Sequence, residues 1–434
     1  MLDVRSSRFL VLAAGLVLAF RPLAGAEPPV RRFQFGTDAA VDGARLVGAG
    51  ELYRPGRGGG FEPGPAVSNV PGGVRGDPDY FFSTDLAEGN WRVRIVLRGP
   101  PGGGIVAVKA ELRRLLVGPV RLAEGERCER TFMVNVRTPR IAARNGVAAG
   151  EVALKAPRES VMEAWAWDDR LTLEVDGAVL ESLDLAPAAV PTVFLLGDST
   201  VCDQPREPYA SWGQMLARFF GPTVAVANHG ESGETYRDSI ARRRLDKIVS
   251  VMQPGDWVLL QFGHNDQKQI KAGTGGPFTT YVAELRTHLA AVRRAGGIPV
   301  VVSPMERRRF DAAGHLVPSL ADYARAAREV AAAAHAAFID LNAMSIRFYE
   351  ALGPDRSARA FAAPNGVVDN THHDNYGSYE LAQCIAEGIR ENVPGLAAHL
   401  APDFAGFDPA RPDPLAGLAV PASPNFTNQR PLGD

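Results

Sequence analysis

The chain has 434 residues, of which 46% are hydrophobic and 22% are charged, a composition typical of a globular protein with a large core. At about 100 to 200 residues for each domain, this length predicts two domains. The 47 basic and 49 acidic residues give a formal net charge of −2, so no basic surplus indicates a nucleic acid or an anionic membrane as a partner.

The first 26 residues have the pattern of a secretory signal peptide. Arg5 and Arg8 precede an apolar run at 9–20, and "AGA" at 24–26 has the small residues of a cleavage site. The alternative, a membrane anchor, needs about twenty apolar residues, and this run is too short for it. We therefore expect residues 1–26 to be removed, the mature protein to be secreted or periplasmic, and no association with a membrane after cleavage.

Residues 27–185 are predicted to form an all-β sandwich domain. Three segments alternate polar and apolar residues with the period of two of a strand: "NWRVRIVLRG" at 90–99, "TFMVNVRTP" at 131–139 and "DRLTLEVDG" at 169–177. Turns rich in glycine, proline and aspartate separate the strands, and no long segment has the period of a helix. The pattern favours a sandwich of the jelly-roll or galactose-binding type.

Residues 190–400 are predicted to form an α/β domain, after a linker at 185–191. Strand-like segments alternate with helical ones: "TVFLLGDS" before "SWGQMLARFF", "TVAVAN" before "SIARRRLDKIVSVM", "DWVLLQFG" before "YVAELRTHLAAVRRAG", and "IPVVVSPM" before "LADYARAAREVAAAAHAA". This order predicts a parallel sheet that is buried on both faces. The helix "SYELAQCIAEGIREN" closes the domain, and a proline-rich tail follows at 401–434.

Four loops of the α/β domain carry polar residues that packing alone does not require. They are "GDST" at 197–200, "NHGESGET" at 228–235, "FGHND" at 262–266 and "DNTHHDNYG" at 369–377. Each loop alone has a structural alternative as a turn, a helix cap or a solvated pair. Together at the carboxyl ends of parallel strands, where open α/β sheets bind their ligands, the four loops predict a functional site.

The chemistry that these loops predict is acyl transfer by a serine nucleophile. Ser199 follows the first strand, and its hydroxyl needs a base that is itself oriented by a carboxylate. His372 and Asp369 supply that pair on one loop. The backbone N–H groups of Ser199 and Gly233 and the side-chain amide of Asn265 are the candidate donors to the oxyanion of the tetrahedral intermediate.

Two adjacent histidines compete for the role of base. Neighbouring side chains point in different directions, so only one of the two imidazoles can face Ser199. Asp369 and His372 have D-x-x-H spacing, which a single turn of the loop can close. His372 is therefore the predicted base, and His373 is expected at the rim of the site or in the substrate groove.

Cofactor chemistry has weaker support in the sequence. A metal site could draw on a set of acidic and histidine side chains, but these residues show no ordered ligand spacing: His264, Asp266, His372, His373 and Asp374. The first strand is not followed by G-x-G-x-x-G, the dinucleotide motif, and Ser199 lies outside any G-x-S-x-G motif. The sequence therefore predicts an enzyme without a metal or another cofactor.

The four loop motifs resemble the four blocks of the SGNH/GDSL hydrolase superfamily, and most closely its rhamnogalacturonan acetylesterase-like branch. The resemblance spans roughly residues 190–400. It implies a flavodoxin-like three-layer α/β/α sandwich, preceded here by the all-β sandwich. It also implies removal of O-acetyl groups from plant cell-wall polysaccharide, with acetylated rhamnogalacturonan or pectin, or their oligosaccharides, as the binding partner.

By motif, the same resemblance implies roles for individual residues. Ser199 becomes the nucleophile, His372 the base and Asp369 the carboxylate that orients it. Ser199, Gly233 and Asn265 become the oxyanion donors. Two alternatives remain open: a lipase-like or thioesterase-like hydrolase that acts on longer acyl chains, and a carbohydrate-binding protein whose hydrolase domain is inactive.

Overall fold

The computed structural model describes residues 30–432, except for positions 42, 78 and 418. The signal peptide predicted at 1–26 lies outside the described residues. Within the described part of the chain, no helix combines the length and the apolar character that crossing a membrane requires. The structure is mixed α/β, with strands dominating before residue 188 and strands alternating with helices after it.

The N-terminal region is built from strands β1 to β14. Their bounds are β1 (Arg31–Phe35), β2 (Arg45–Val47), β3 (Gly60–Phe61), β4 (Val67–Val70), β5 (Gly73–Gly76), β6 (Asp79–Asp85), β7 (Gly89–Arg98), β8 (Gly104–Ala110), β9 (Arg114–Leu122), β10 (Arg127–Val136), β11 (Arg140–Ile141), β12 (Gly150–Glu151), β13 (Arg170–Asp176) and β14 (Val179–Pro187). One sheet has the order β10-β7-β14-β1-β2, with β5 added to β14 and β4 to β5; a second has the order β3-β6-β13-β8-β9. The three segments predicted from their alternation are strands β7, β10 and β13.

The two sheets share one hydrophobic core. Along β7, Val93, Ile95 and Leu97 are buried, while Arg92 and Arg94 are exposed, which is the alternation expected of a strand with one face in the core. The second sheet adds buried apolar side chains to the same core: Phe82, Val106, Val108, Leu171, Leu173 and Val175. The strand-rich prediction for this region agrees with the structure, whereas its assignment to a jelly-roll or galactose-binding type stays a prediction.

The α/β region is organised around a parallel sheet. Its strands are β15 (Thr192–Gly197), β16 (Ala225–Asn228), β17 (Trp257–Gln261), β18 (Ile298–Val302) and β19 (Ala337–Ile339). The order is β16-β15-β17-β18-β19, and every pair is parallel. Because the chain passes from β15 to one neighbour and then returns to the other, the carboxyl end of β15 is the point where the direction of winding reverses, and ligands bind at such points.

Helices connect these strands and follow the last of them. They are α1 (Trp212–Leu216), α2 (Tyr236–Ala241), α3 (Arg244–Val251), α4 (Gln267–Ala272), α5 (Val282–Arg294), α6 (Ala321–Ala333), α7 (Leu341–Ser357), α8 (Asn375–Asn392) and α9 (Pro394–Ala397). Helix α7 is broken near its end at Gly353, which has a φ of 74° and precedes Pro354. Short turns of the π type occur at Arg158–Met162, between β12 and β13, and at Pro277–Tyr281, directly before α5.

Successive residues of β15 enter cores on opposite faces of the sheet. Val193 and Leu195 pack in a cluster with residues of α1 and α8, whereas Phe194 and Leu196 pack in another with residues of α3, α5 and α6. Helices therefore cover both faces of the sheet, which explains why its strands are continuous apolar runs in the sequence.

Two local predictions were wrong. The segment "SIARRRLDKIVSVM" is two helices, α2 and α3, because Arg243 between them has a left-handed backbone with a φ of 62°. Its guanidinium donates to the carbonyl of Ala148 in the N-terminal region (2.6 Å) and to the carboxylate of Asp246 within α3 (2.9 Å). The contact with Ala148, outside the two helices, helps to hold the break. The linker predicted at 185–191 begins inside β14, which continues to Pro187 by pairing with β7.

Candidate active site

Ser199 lies in the tight turn that follows β15. A Cβ on Gly197 would come within 2.4 Å of the Val201 side chain, so glycine allows the chain to turn this closely. The Asp198 carboxylate then accepts hydrogen bonds from the backbone N–H (3.0 Å) and the hydroxyl (2.7 Å) of Thr200. These contacts fix the backbone on both sides of Ser199 at the carboxyl end of the sheet.

Ser199, His372 and Asp369 form one chain of hydrogen bonds. His372 Nε2 lies 2.9 Å from Ser199 Oγ, and His372 Nδ1 lies 3.0 Å from Asp369 Oδ2. All three side chains are buried, with relative exposures of 3% or less. A solvated loop pair, the structural alternative for Asp369 and His372, does not agree with this burial. The geometry is that of a hydroxyl held against an imidazole whose other nitrogen faces a carboxylate.

The loop that carries Asp369 and His372 is shaped by the carboxylate itself. Asp369 Oδ1 accepts hydrogen bonds from the backbone N–H groups of Thr371 (2.8 Å) and His372 (3.0 Å). Oδ2 accepts from His372 Nδ1 and also from Arg430 Nε, at 2.9 Å. Burial alone raises the pKa of Asp369, but the hydrogen bonds from His372 and Arg430 outweigh it, so the pKa lies well below its usual value. The carboxylate is therefore ionised at neutral pH.

The two remaining candidate donors lie on loops beside this turn. Gly233 has a φ of 77°, a conformation that L side chains rarely adopt. The Asn265 amide donates to the carbonyl of Glu234 (3.2 Å), and its oxygen accepts from Lys268 Nζ (3.2 Å). Asn265 is therefore attached to the turn that contains Gly233.

Gln204 connects the turn of Ser199 to the loop of Gly233. Its side-chain nitrogen donates to the carbonyl of Ser199 (2.7 Å) and lies 3.4 Å from the Ser232 hydroxyl. The loops of Ser199, Gly233 and Asn265 are thus connected by hydrogen bonds, as the interpretation of the four motifs as one site requires.

His373 does not lie at the rim of the site, and that expectation was wrong. Its side chain is 2% exposed, its Nε2 lies 2.8 Å from the Tyr349 hydroxyl, and its ring packs on Phe361 at a centroid distance of 4.2 Å. Burial, followed by the nearby His372, lowers the pKa of His373 to about 3. His373 is therefore a neutral core residue.

The side chains that the sequence offered for a metal site do not form a cluster of ligand atoms in the described part of the chain. His264 lies 3.4 Å from Asp198, His372 and His373 have the partners given above, and Asp374 caps α8 by accepting from the Gly377 N–H at 2.9 Å. Within the described ranges, acidic ligand atoms cluster elsewhere, in the sets Asp79, Glu174, Asp176 and Glu159, Glu163, Glu231. A lysine or an arginine side chain pairs with acidic members of each set.

Two residues that contact the site, Arg430 and Tyr209, were not predicted from the sequence. Arg430, in the proline-rich tail, bonds Asp369, and Tyr209 packs edge-on against the His372 ring at 5.9 Å. Both also line a cavity of about 270 Å³, together with Gln204 and Leu432. No spacing rule connects Arg430 to a residue 61 positions away, so only the folded chain reveals this contact.

Comparison with known proteins identifies the family of the chain. The GDSL-like Lipase/Acylhydrolase family matches residues 195–373, from β15 to the loop of His372. The rhamnogalacturonan acetylesterase RhgT of Bacillus subtilis is 38% identical over 219 residues, which are 48% of this chain and 93% of that protein. The chain belongs to the GDSL-like lipase/acylhydrolase family.

Two further relatives of this GDSL-like hydrolase align with different fractions of its length. The probable rhamnogalacturonan acetylesterase YesY of Bacillus subtilis is 30% identical over 46% of the chain and 92% of its own length. The crystal structure of YxiM from the same organism aligns with 83% of this chain and with 98% of the YxiM chain, at 22% identity and a TM-score of 0.44. Family membership makes the chain a carboxylic ester hydrolase.

Proposed function

We propose that this hydrolase removes O-acetyl groups from plant cell-wall polysaccharide, with acetylated rhamnogalacturonan or pectin as its substrate. The observation that carries the mechanism is the chain of hydrogen bonds from Ser199 through His372 to Asp369. The choice of substrate is supported by the rhamnogalacturonan acetylesterases among its relatives. Secretion or export to the periplasm is part of the proposal and rests on the N-terminal sequence.

In the first half of the reaction, Ser199 Oγ attacks the acetyl carbonyl while His372 Nε2 takes the serine proton. The carbonyl oxygen becomes an oxyanion, which the backbone N–H groups of Ser199 and Gly233 and the Asn265 amide stabilise. When the intermediate collapses, the protonated His372 gives its proton to the sugar oxygen, and the sugar leaves as an alcohol. The acetyl group remains on Ser199.

In the second half, water replaces the sugar. His372 takes a proton from the water, the resulting hydroxide attacks the acetyl-serine carbonyl, and the same donors stabilise the second oxyanion. Collapse releases acetate and returns the proton to Ser199. Asp369 stays ionised throughout, holds the imidazole in one orientation and stabilises its charged form.

The proposal extends to the architecture. Helices on both faces of the parallel sheet support a flavodoxin-like three-layer α/β/α sandwich at about 190–400, preceded by a β-sandwich domain at 27–185. The described part of the proline-rich tail predicted at 401–434 packs on the α/β domain, as the contact of Phe404 with Phe219 indicates.

The experiment measures acetate released from acetylated rhamnogalacturonan and from acetylxylan under matched conditions. We expect faster release from rhamnogalacturonan and none from the Ser199→Ala variant. Nitrophenyl acetate and nitrophenyl octanoate test the alternative of a lipase-like or thioesterase-like enzyme. Faster turnover of acetylxylan would contradict the substrate, preference for octanoate would favour the alternative, and no turnover of any ester would favour a carbohydrate-binding protein.

A further inference from the structure

The C-terminal segment 423–432 is fixed beside the candidate active site. Glu207 donates its backbone N–H to the carbonyl of Asn425 (2.8 Å) and accepts at its own carbonyl from the N–H of Thr427 (2.8 Å). The Glu207 carboxylate also accepts from the backbone N–H of Ser423, at 2.9 Å. This short ladder fixes the direction of the segment just before Arg430.

The same segment reaches the loop of a candidate oxyanion donor. The backbone and side chain of Leu432 lie 3.1 to 3.3 Å from where a Cβ on Gly233 would be. The segment therefore passes between the loop of Asp369 and the loop of Gly233. It contacts the site at two places that are far apart in the sequence.

Arg430 binds the carboxylate oxygen that faces the histidine. Its Nε lies 2.9 Å from Asp369 Oδ2, the oxygen that also lies 3.0 Å from His372 Nδ1. The Asp369 side chain is 1% exposed, whereas the Arg430 side chain is 53% exposed. The guanidinium thus brings a positive charge to a buried carboxylate from the solvent side.

We propose that Arg430 is a positioning residue of this hydrolase that acts on His372 through Asp369. It holds the shared oxygen in line with the imidazole, so the ring keeps the orientation that the serine requires. Its charge also opposes the protonation of the neighbouring imidazole, so that the base remains neutral at lower pH. The inference rests on the proposed function, in which His372 is the base.

Other titratable and charged groups lie near the Asp369–His372 pair. Arg307 donates to the Thr371 hydroxyl at 3.2 Å, and His264 pairs with Asp198 on the turn of Ser199. Burial, followed by the nearby His372, lowers the pKa of His373 to about 3, and burial raises that of Asp374 to about 7. A test of Arg430 must therefore compare variants that retain all of these groups. Arg430 differs from these groups because it donates a hydrogen bond directly to the Asp369 carboxylate.

The experiment follows the titration of the His372 ring by NMR in the full chain, with the resonance assigned by its loss in His372→Gln. We expect Arg430→Gln to raise the midpoint by about half to one pH unit, because one positive charge is removed. Arg430→Lys keeps the charge and should lie closer to the wild type. The control is Arg411→Gln, which removes the same charge from an 86% exposed side chain that pairs with Asp408.

An unchanged midpoint in Arg430→Gln, or an equal shift in Arg411→Gln, would overturn the role of Arg430. Because the ring is observed directly, this result does not depend on any substrate. The acid limb of the kcat/KM profile for nitrophenyl acetate should move with the ring in each variant. If the ring titration moves and the acid limb does not, His372 is not the base, and the proposed function is contradicted while the contact of Arg430 with the pair stands.

Discussion

Asn265 has its side chain held by contacts at both ends of the amide. Its nitrogen donates to the Glu234 carbonyl and its oxygen accepts from Lys268, which settles how the amide is oriented. In the proposed mechanism, the same amide nitrogen also donates to the oxyanion. A donor fixed before the reaction needs no reorganisation when the charge develops.

We therefore expect Asn265→Ala to lower kcat by about a hundred- to a thousand-fold with little change in KM. In the proposed mechanism, the amide contacts the oxyanion of the transition state and not the ground-state ester. Steady-state kinetics on one acetyl ester measures both constants. A rise in KM at constant kcat would instead assign Asn265 to substrate binding.

The adjacent histidines should respond in opposite ways to the same substitution. His372→Ala removes the proposed base and should lower kcat by several orders of magnitude while changing stability little. His373→Ala removes a buried ring and its contact with Tyr349, so it should lower the melting temperature and leave kcat within about tenfold of the wild type. If His373→Ala lost more activity in its folded state than His372→Ala, the D-x-x-H assignment would be wrong.

The sequence was sufficient to predict the partner of His372 but not that of His373. Asp369 and His372 are three residues apart, and the Asp369 carboxylate builds the loop through hydrogen bonds to its own backbone, so spacing alone was sufficient. The place of His373 depends on Tyr349 and Phe361, which belong to other elements. Packing partners of this kind leave no periodic signal around the residue.

At the scale of elements, a buried arginine connects the N-terminal region to the loop of the candidate oxyanion donors. Arg244, at the start of α3, is fully buried and pairs with Glu159 (2.6 Å) and Glu234 (2.8 Å). Glu159 belongs to the turn Arg158–Met162, and Glu234 follows Gly233. The position of the donor loop therefore depends on a residue from the region before β15.

We expect Arg244→Ala to lower the free energy of unfolding by about 3 to 5 kcal/mol, because it removes the nearest cation from two buried carboxylates. Lys155 and Arg242 lie farther from Glu234, both at 3.5 Å. Urea unfolding followed by tryptophan fluorescence measures the change. The matched control is Arg237→Ala on α2, whose half-exposed pair with Glu284 should contribute no more than about 1 kcal/mol. Equal losses in the two variants would show that the buried pairs do not hold the loop.

The sequence predicted several of the strands well but missed a helix break and a whole helix. Continuous apolar runs identified β15 to β18, and period-two alternation identified β7, β10 and β13, because burial of both faces or of one face determines those patterns. The short strand β19 was not predicted. The break between α2 and α3 was missed, since it depends on a contact from Arg243 to the carbonyl of Ala148 in the N-terminal region. Helix α7 was also missed, and its break at Gly353 and Pro354 interrupts the helical pattern.

At the scale of the whole molecule, the proline-rich tail is attached to α8 by a pair of carboxyl groups. The backbone N–H of Asp413 donates to Glu380 (3.0 Å), and the Gln383 amide donates to the side chains of both Glu380 (3.1 Å) and Asp413 (2.9 Å). Burial, and then the charge of Asp413, raises the pKa of Glu380 to about 8. The folded chain therefore keeps a proton on Glu380 over a range in which the unfolded chain has lost it.

This difference predicts that the contribution of Glu380 to stability falls as the pH rises from about 4.5 to 8, since this carboxyl group binds a proton in the native state and has lost it in the unfolded state there. Glu380 contributes at most about 1.4 kcal/mol for each pH unit. Glu380→Gln keeps an acceptor for the Asp413 N–H and removes the titration, so its unfolding free energy should fall less steeply. Denaturant titrations at several pH values measure both slopes, and parallel slopes would contradict the assignment.

The tail also shows why the full site could not be predicted. Composition indicated a segment without regular structure, and the described part of 401–432 contains no helix or strand. Its contacts with Glu207, Asp369 and Gly233 join residues that are distant in the chain and lie on different loops. The contact between Ser199, His372 and Asp369 was predictable from motifs, whereas the segment beside them was visible only in the folded molecule.

The central claim is that Ser199 is the nucleophile, and covalent labelling tests it most directly. A fluorophosphonate reacts with a serine only when a base activates the hydroxyl, and mass spectrometry of the digested protein locates the label. We predict one label for each chain, on Ser199, absent from Ser199→Ala and much slower to form in His372→Ala. A label on another residue, or none on a preparation that hydrolyses acetyl esters, would contradict the account.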